Sequence, residues 1–155
     1  MKNFIFVFSL FAILKVNAIQ NPCHLNKRYT STFGPCFFPT ELLNVTLTPD
    51  PPTVGTSTYY VSGRIHDHTI TAGKTIAAVQ FLNGSAYAIS ELYYKTFDNT
   101  VAPGDEFSIV VSDVPAPKFP YPHYEFYVIV IVGDPVDNTI QAVQEYGCAL
   151  TYLYS

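Results

Sequence analysis

Basic residues are scarce in this chain of 155 residues, with eight Lys and Arg against twelve Asp and Glu. Without basic patches to hold phosphates, nucleic acid is excluded as a partner. Stable docking on an anionic membrane by charge alone is disfavoured for the same reason. The motifs of chemistry are missing too. There is no Gly-x-Ser-x-Gly elbow, no Cys–His nucleophile pattern and no phosphate-cradling glycine loop. Asp105-Glu106 follows Pro103-Gly104 and points in two directions if extended, so it makes no converging acid–base pair. These absences read against an enzyme, and no cofactor is expected. No stretch carries the 3.6-residue period of an amphipathic helix. Cysteine is sparse, with only Cys23, Cys36 and Cys148. In an oxidising compartment three cysteines imply one disulfide plus a leftover thiol, or an intermolecular bridge.

The first eighteen residues stand apart. Met1-Lys2 gives a short basic start, Phe4 to Leu14 is apolar, and Val16-Asn17-Ala18 supplies residues a signal peptidase reads. The expectation is a secretory leader over 1–18, cut after Ala18, and a single domain over 19–155. The apolar run is too short for an anchor helix, which needs about 20 residues. Losing Lys2 and Lys15 leaves six basic residues against twelve acidic ones, a net charge near −6. Asn44-Val45-Thr46 and Asn83-Gly84-Ser85 are acceptor triplets for N-glycosylation, which fits secretion.

What the chain does have is strands. The stretch Tyr124 to Val132 holds seven apolar residues in a row after Glu125. Its β-branched and aromatic types argue for a strand, with Gly133-Asp134-Pro135 ending it. A strand apolar on both faces belongs in the middle of a sheet with a cover on each side. Period-two patterns start at Glu41, where Leu43, Val45 and Leu47 share one face and Asn44 points outward. Thr56 to His66 puts Tyr59, Val61 and Ile65 on one face. Thr75 to Leu82 is a third strand, closed by the hairpin signal Asn83-Gly84. Ala86 to Phe97 reads as a fourth, and Phe107, Ile109 and Val111 mark a fifth. A last strand or pair runs from Thr139 to Tyr154, with a possible bulge at Gly147. Seven or so strands and their turns predict an all-β, immunoglobulin-like two-sheet sandwich.

His66-Asp67-His68 is the tightest polar cluster. Residues two apart on a strand face the same way, so both imidazoles could grip one metal ion. The cluster falls where its strand should end and has no third ligand nearby, so it reads as a wet turn and no metal is expected. The distinctive property is then apolar surface. A two-sheet sandwich either fills its interior or splays and leaves a dry cavity suited to a lipid tail, each buried methylene contributing about 0.8 kcal/mol. The inner-face candidates are Val61, Ile65, Val79, Phe81, Ile109, Phe126, Val128 and Val130, with Tyr59 and Tyr146 near a rim. The other reading is a secreted interaction module that binds a protein partner or a second copy through the apolar outer face at Tyr127, Ile129 and Ile131.

The run Leu43-Asn44-Val45-Thr46-Leu47-Thr48-Pro49-Asp50-Pro51-Pro52-Thr53-Val54-Gly55 resembles the first strand and turn of the MD-2-related lipid-recognition family, in its fungal phosphatidylglycerol/phosphatidylinositol transfer branch. Pro103-Gly104-Asp105-Glu106-Phe107-Ser108-Ile109 is similar to that family's Pro-Gly turn into a middle strand. The proline-rich linker before Tyr124 resembles the linker to its long penultimate strand. The likeness covers about residues 36 to 155, and the Pro-Asp-Pro-Pro turn is its most specific part. It implies a secreted or vacuolar or lysosomal sandwich that holds a sterol, phospholipid or other acyl ligand, with transient membrane contact. It also implies a disulfide from an N-terminal cysteine to the last strand, Cys36–Cys148, with Cys23–Cys148 as the alternative. The chain departs from the family in lacking the cysteine pair around the central hairpin, so the segment from Tyr87 to Thr100 should be looser.

Overall fold

A computed structural model describes residues 30–52, 55–118, 125–136 and 139–154. The expected leader, Cys23 and Tyr124 lie outside the described residues. Eight strands are present among those described: β1 (Glu41–Leu42), β2 (Asn44–Thr48), β3 (Thr56–Arg64), β4 (Ile76–Asn83), β5 (Tyr93–Thr96), β6 (Glu106–Pro115), β7 (Glu125–Val136) and β8 (Thr139–Tyr154). They form a five-stranded sheet ordered β1-β8-β7-β4-β5 and a three-stranded sheet ordered β2-β3-β6. The all-β two-sheet sandwich is as expected.

The doubly apolar strand β7 lies in the middle of the larger sheet, antiparallel to β4 on one side and β8 on the other. Its inward residues Phe126, Val128 and Val130 are fully buried. Its outward residue Ile131 joins Ile76, Ala78 and Cys148 in a second buried cluster, against which Cys36, Leu92, Ile129 and Val143 pack. The cover on that side is the chain itself. The segment from Phe33 to Cys36 pairs at Gly34 with Leu150 of β8 and is fastened by a Cys36–Cys148 disulfide. This excludes the alternative Cys23–Cys148 pairing. The bridge spans a sequence separation of 112 residues. Closing so long a loop stabilises the fold by about 5 kcal/mol in the chain-entropy treatment.

Several sequence expectations shift. The strand expected from Glu41 divides at Leu43. Before it, β1 runs parallel to β8; after it, β2 runs antiparallel to β3 in the other sheet. Leu43 stays buried through the crossing, so one period-two face serves both sheets. The fourth strand is shorter than expected, covering only Tyr93–Thr96. Asn83-Gly84 makes the expected turn, and its flanks pair: Leu82 lies opposite Ala88 in an antiparallel bridge, and the Asn83 and Ile89 amides donate to the Tyr87 and Phe81 carbonyls, each at 2.8 Å. The Asn83 side chain accepts hydrogen bonds from the Ser85 and Tyr87 backbone amides at 3.0 and 2.9 Å within that turn.

Gly133-Asp134-Pro135 does not end β7, which continues to Val136. The register between β7 and β8 slips there, with Val132 opposite Gly147 and Gly133 opposite Glu145. Tyr146 is the extra residue of a bulge, one position from the expected one. Gly133 is needed at this point. A Cβ there would overlap the Gln144 carbonyl oxygen and sit 2.9 Å from Val143 Cγ1.

Gly133→Ala is therefore expected to lower the unfolding free energy by at least about 3 kcal/mol, as overpacking against backbone does. Gly84→Ala, which meets nothing within 4 Å, should stay within about 0.5 kcal/mol of the parent. Urea denaturation of both variants checks the contrast.

Candidate functional site: the interior between the sheets

The sandwich interior is built by alternation. On the three-stranded sheet, period two turns Tyr59, Val61, Phe107, Ile109 and Val111 inward, with Val61 opposite Ile109. On the five-stranded sheet, Val79 lies opposite Val130 and Phe81 opposite Val128. Tyr59, Val61, Ile65, Val79, Phe81, Ile109, Phe126, Val128 and Val130 all fall in one buried cluster. The structure thus brings nine of the ten candidate residues together, and Tyr146 packs at the edge of the same cluster.

These side chains fill the space they enclose. Eight of the nine are 0–2% exposed, and Ile109 is 8% exposed. A side chain that faced an open void of water size would show accessible surface, so the two sheets meet here side chain against side chain. Phe81 and Phe126 lie with ring centroids 6.1 Å apart, and Phe97 stands edge-on to Phe107 at 5.5 Å. The inner-face candidates did not include Leu43, Ile70 or Phe97, which are also buried here. Ile70 and Phe97 lie in connections, where no period marks them. Each is held by a backbone pairing of its own, Ile70 with Val101 and the Phe97 amide with the Thr75 carbonyl.

One side of the interior comes close to solvent. Strands β5 and β6 are the last strands of their sheets on that side. A groove of about 390 Å³ lies between them, floored by Phe97, Phe107 and Ile109 and rimmed by Lys95, Asp98 and Glu106. Outside volume there reaches inward-facing core side chains. Arg64 holds Glu106 near this rim at 3.5 Å across two exposed side chains, a contact worth little in free energy.

Tyr59 is not at a rim. It is fully buried, and its hydroxyl has no hydrogen-bond partner among the described residues. Burial, and then the negative charge of Asp50, push its pKa well above the ordinary tyrosine value, so the phenol stays protonated. Tyr146 does lie at an edge. Its ring stacks on His68, with centroids 4.1 Å apart and planes 13° from parallel. Burial, and then the negative charge of the nearby Asp134 carboxylate, raise the pKa of its hydroxyl. Lys74 pairs with the same carboxylate, and the Thr75 hydroxyl donates to it at 2.7 Å. Asp134 is itself buried. Burial alone would raise its pKa, but the bonds from Lys74, Thr75 and Tyr146 outweigh it and hold the carboxyl below its ordinary value. This cluster fastens the bulged end of β7 and β8 to the turn before β4.

His66 and His68 do not converge. His66 Nδ1 lies 2.9 Å from Glu41 Oε1, whereas His68 faces Tyr146. No group of three or more metal-ligating side chains occurs among the described residues. The two imidazoles act as separate tethers of a wet turn.

The outer face of the large sheet carries its own features. A groove of about 640 Å³ is lined by Gln80, Leu92, Ile131 and Val143 together with Glu91 and Glu145. Burial raises the pKa of Glu145. Nearby, Phe37 and Phe38 are 61% and 69% exposed. Phe37 sits edge-on to Tyr127 at 5.9 Å, and Tyr127 lies 5.0 Å from Tyr152. Tyr127 and Ile129 are both partly buried, and the exposed rings of Phe37 and Phe38 belong to the N-terminal segment. No protein-family model matches this chain, and no curated protein matches it.

Two outcomes are expected from the site. Val128→Asp buries an unpaired carboxylate among apolar neighbours, which costs several kcal/mol, and the variant should lose its near-UV circular dichroism and its cooperative melt. Asp134 contributes stability above its unfolded-state pKa, and that contribution is lost as pH falls through about 4 and below. Asp134→Asn should therefore be destabilised at pH 7 by about 1–3 kcal/mol, the cost of a broken buried network. It should also show a shallower fall in melting temperature between pH 5 and pH 2.

Proposed function

We propose that this chain is a secreted, non-enzymatic lipid carrier that takes an apolar molecule between its two sheets. The observation that carries the reading is the interior itself. Its facing surfaces are apolar and contiguous, and they come within reach of solvent along the β5–β6 groove, where Phe97, Phe107 and Ile109 form the floor. The sheets touch across that interior through side-chain contacts alone, so a lipid that parts them replaces one set of apolar contacts by another. Each methylene it buries contributes about 0.8 kcal/mol towards that exchange. The resemblance to the MD-2-related lipid-recognition family supports the same reading, and the Cys36–Cys148 bridge is the one that resemblance implies.

A disulfide of this kind suits an extracellular or lumenal compartment. The Asn44 side chain is exposed on the outer face of the small sheet, where a glycan meets no steric obstacle from the fold. A membrane would be touched only during loading and release.

A second reading has its own observation. The exposed Phe37 and Phe38, with Leu42 and Tyr152 also exposed, form apolar surface of the kind that marks a protein contact. On that reading the filled interior is simply a core, and the protein acts by binding a partner or a second copy.

Native mass spectrometry and lipid extraction of protein secreted from a eukaryotic host separate the two. The carrier reading expects a stoichiometric lipid mass that leaves on denaturation, or uptake when mixed sterols and phospholipids are offered. A protein that stays apo under both conditions and elutes as a stable dimer on a sizing column would overturn it.

A further inference from the structure

Tyr59 stands on β3, the central strand of the small sheet, with Leu47 opposite it on β2 and Val111 opposite on β6. It is one of the largest fully buried side chains among the described residues, and it belongs to the cluster between the sheets. Its hydroxyl is the single buried side-chain oxygen among those residues with no hydrogen-bond partner. Packing does not call for that oxygen. Phenylalanine fills the same volume, and a buried polar group left without its hydrogen bond is destabilising. Native interiors rarely leave such a group unpaired, and each exception asks for an explanation.

We propose that the Tyr59 hydroxyl is the specificity-determining donor for the bound lipid, selecting an apolar skeleton that carries a hydroxyl or carbonyl oxygen at the end that enters first. This rests on the carrier reading above. The chemistry separates lipid classes. A diacyl phospholipid that enters tails first brings only methyl ends to Tyr59 and leaves the donor unpaired. A sterol or long-chain alcohol that enters oxygen-first satisfies it. The phenol is suited to that task because it remains protonated and can donate throughout the physiological range. Asp50, the carboxylate whose charge reaches it, is already engaged by the backbone amide and hydroxyl of Ser31.

The test compares the full-length secreted protein with Tyr59→Phe, using cholesterol, its hydrocarbon counterpart lacking the 3-hydroxyl, and a dioleoyl phosphatidylcholine as probes in native mass spectrometry. The wild type should prefer the alcohol over the hydrocarbon by about tenfold, the worth of one well-made buried hydrogen bond. Tyr59→Phe should lose that preference, keep its affinity for the hydrocarbon, and melt at the same or a higher temperature. An unchanged preference in Tyr59→Phe would overturn the inference and leave the carrier reading standing. Phosphatidylcholine bound in preference to the sterol, equally by both proteins, would do the same. Uptake of none of the probes by the wild type would overturn both.

Discussion

The structure depends on covering one strand twice. β7 is apolar on both faces, and a strand of that kind is stable only where neither face meets water. Pairing on both edges with β4 and β8 satisfies its backbone. The small sheet covers its inner face, and Cys36, Leu92 and Val143 pack against the cluster around Ile131 on its outer face. The rest follows from those two covers. The chain changes sheets at Leu43 because the segment before it pairs with β8 in the large sheet while β2 helps build the small one. The bulge at Tyr146 lets β8 bend away beyond the covered part, and the Asp134 cluster fixes the bend.

Much of this was legible in the residues. Period-two alternation identified β2, β3 and β6, and the residues expected to face inward, Tyr59, Val61, Ile109, Phe126, Val128 and Val130, all lie in the buried cluster between the sheets. The misreadings share a cause, because local punctuation was taken at face value where tertiary contacts override it. Gly133-Asp134-Pro135 looks like a stop, yet the missing side chain at Gly133 is what allows β8 to pass close by, and Asp134 is stabilised by partners far away in sequence. Asn83-Gly84, by contrast, is the turn it looks like, with Leu82 opposite Ala88 and the Asn83 side-chain oxygen accepting from two amides inside it. The switch of sheets at Leu43 carries no local mark, since the same face stays buried on both sides of it.

The candidate site was legible as a face and not as a state. Alternation can say that a valine points inward, but it cannot say whether it meets another side chain or a ligand, because both environments ask for the same residue. What distinguishes them is polar. An interior meant only for packing has no use for a hydroxyl that nothing bonds, and Tyr59 supplies one. Its burial also explains why sequence reasoning put it at a rim. Tyrosine is amphipathic, and the expectation that its oxygen finds a polar partner is sound in general.

The placement of the strands also bears on solubility. The segments most prone to stack with copies of themselves, Ala77 to Leu82 in β4 and Phe126 to Val132 in β7, are shut inside the large sheet with a neighbour on each edge. What the sheets expose at their borders is short or broken. β1 has two residues, β5 has four and carries an exposed lysine at Lys95, and β6 is interrupted at Asp113, which takes a positive φ of 59°. Such borders offer a passing strand little ladder to extend. The hazard therefore moves from the finished fold to the chain still forming. Until β8 and the N-terminal segment have closed over β7, its unpaired edge and apolar faces form a template for aggregation. Because the Cys36–Cys148 bridge ties those two parts together, an oxidising compartment protects the protein by shortening that interval as well as by stabilising the result.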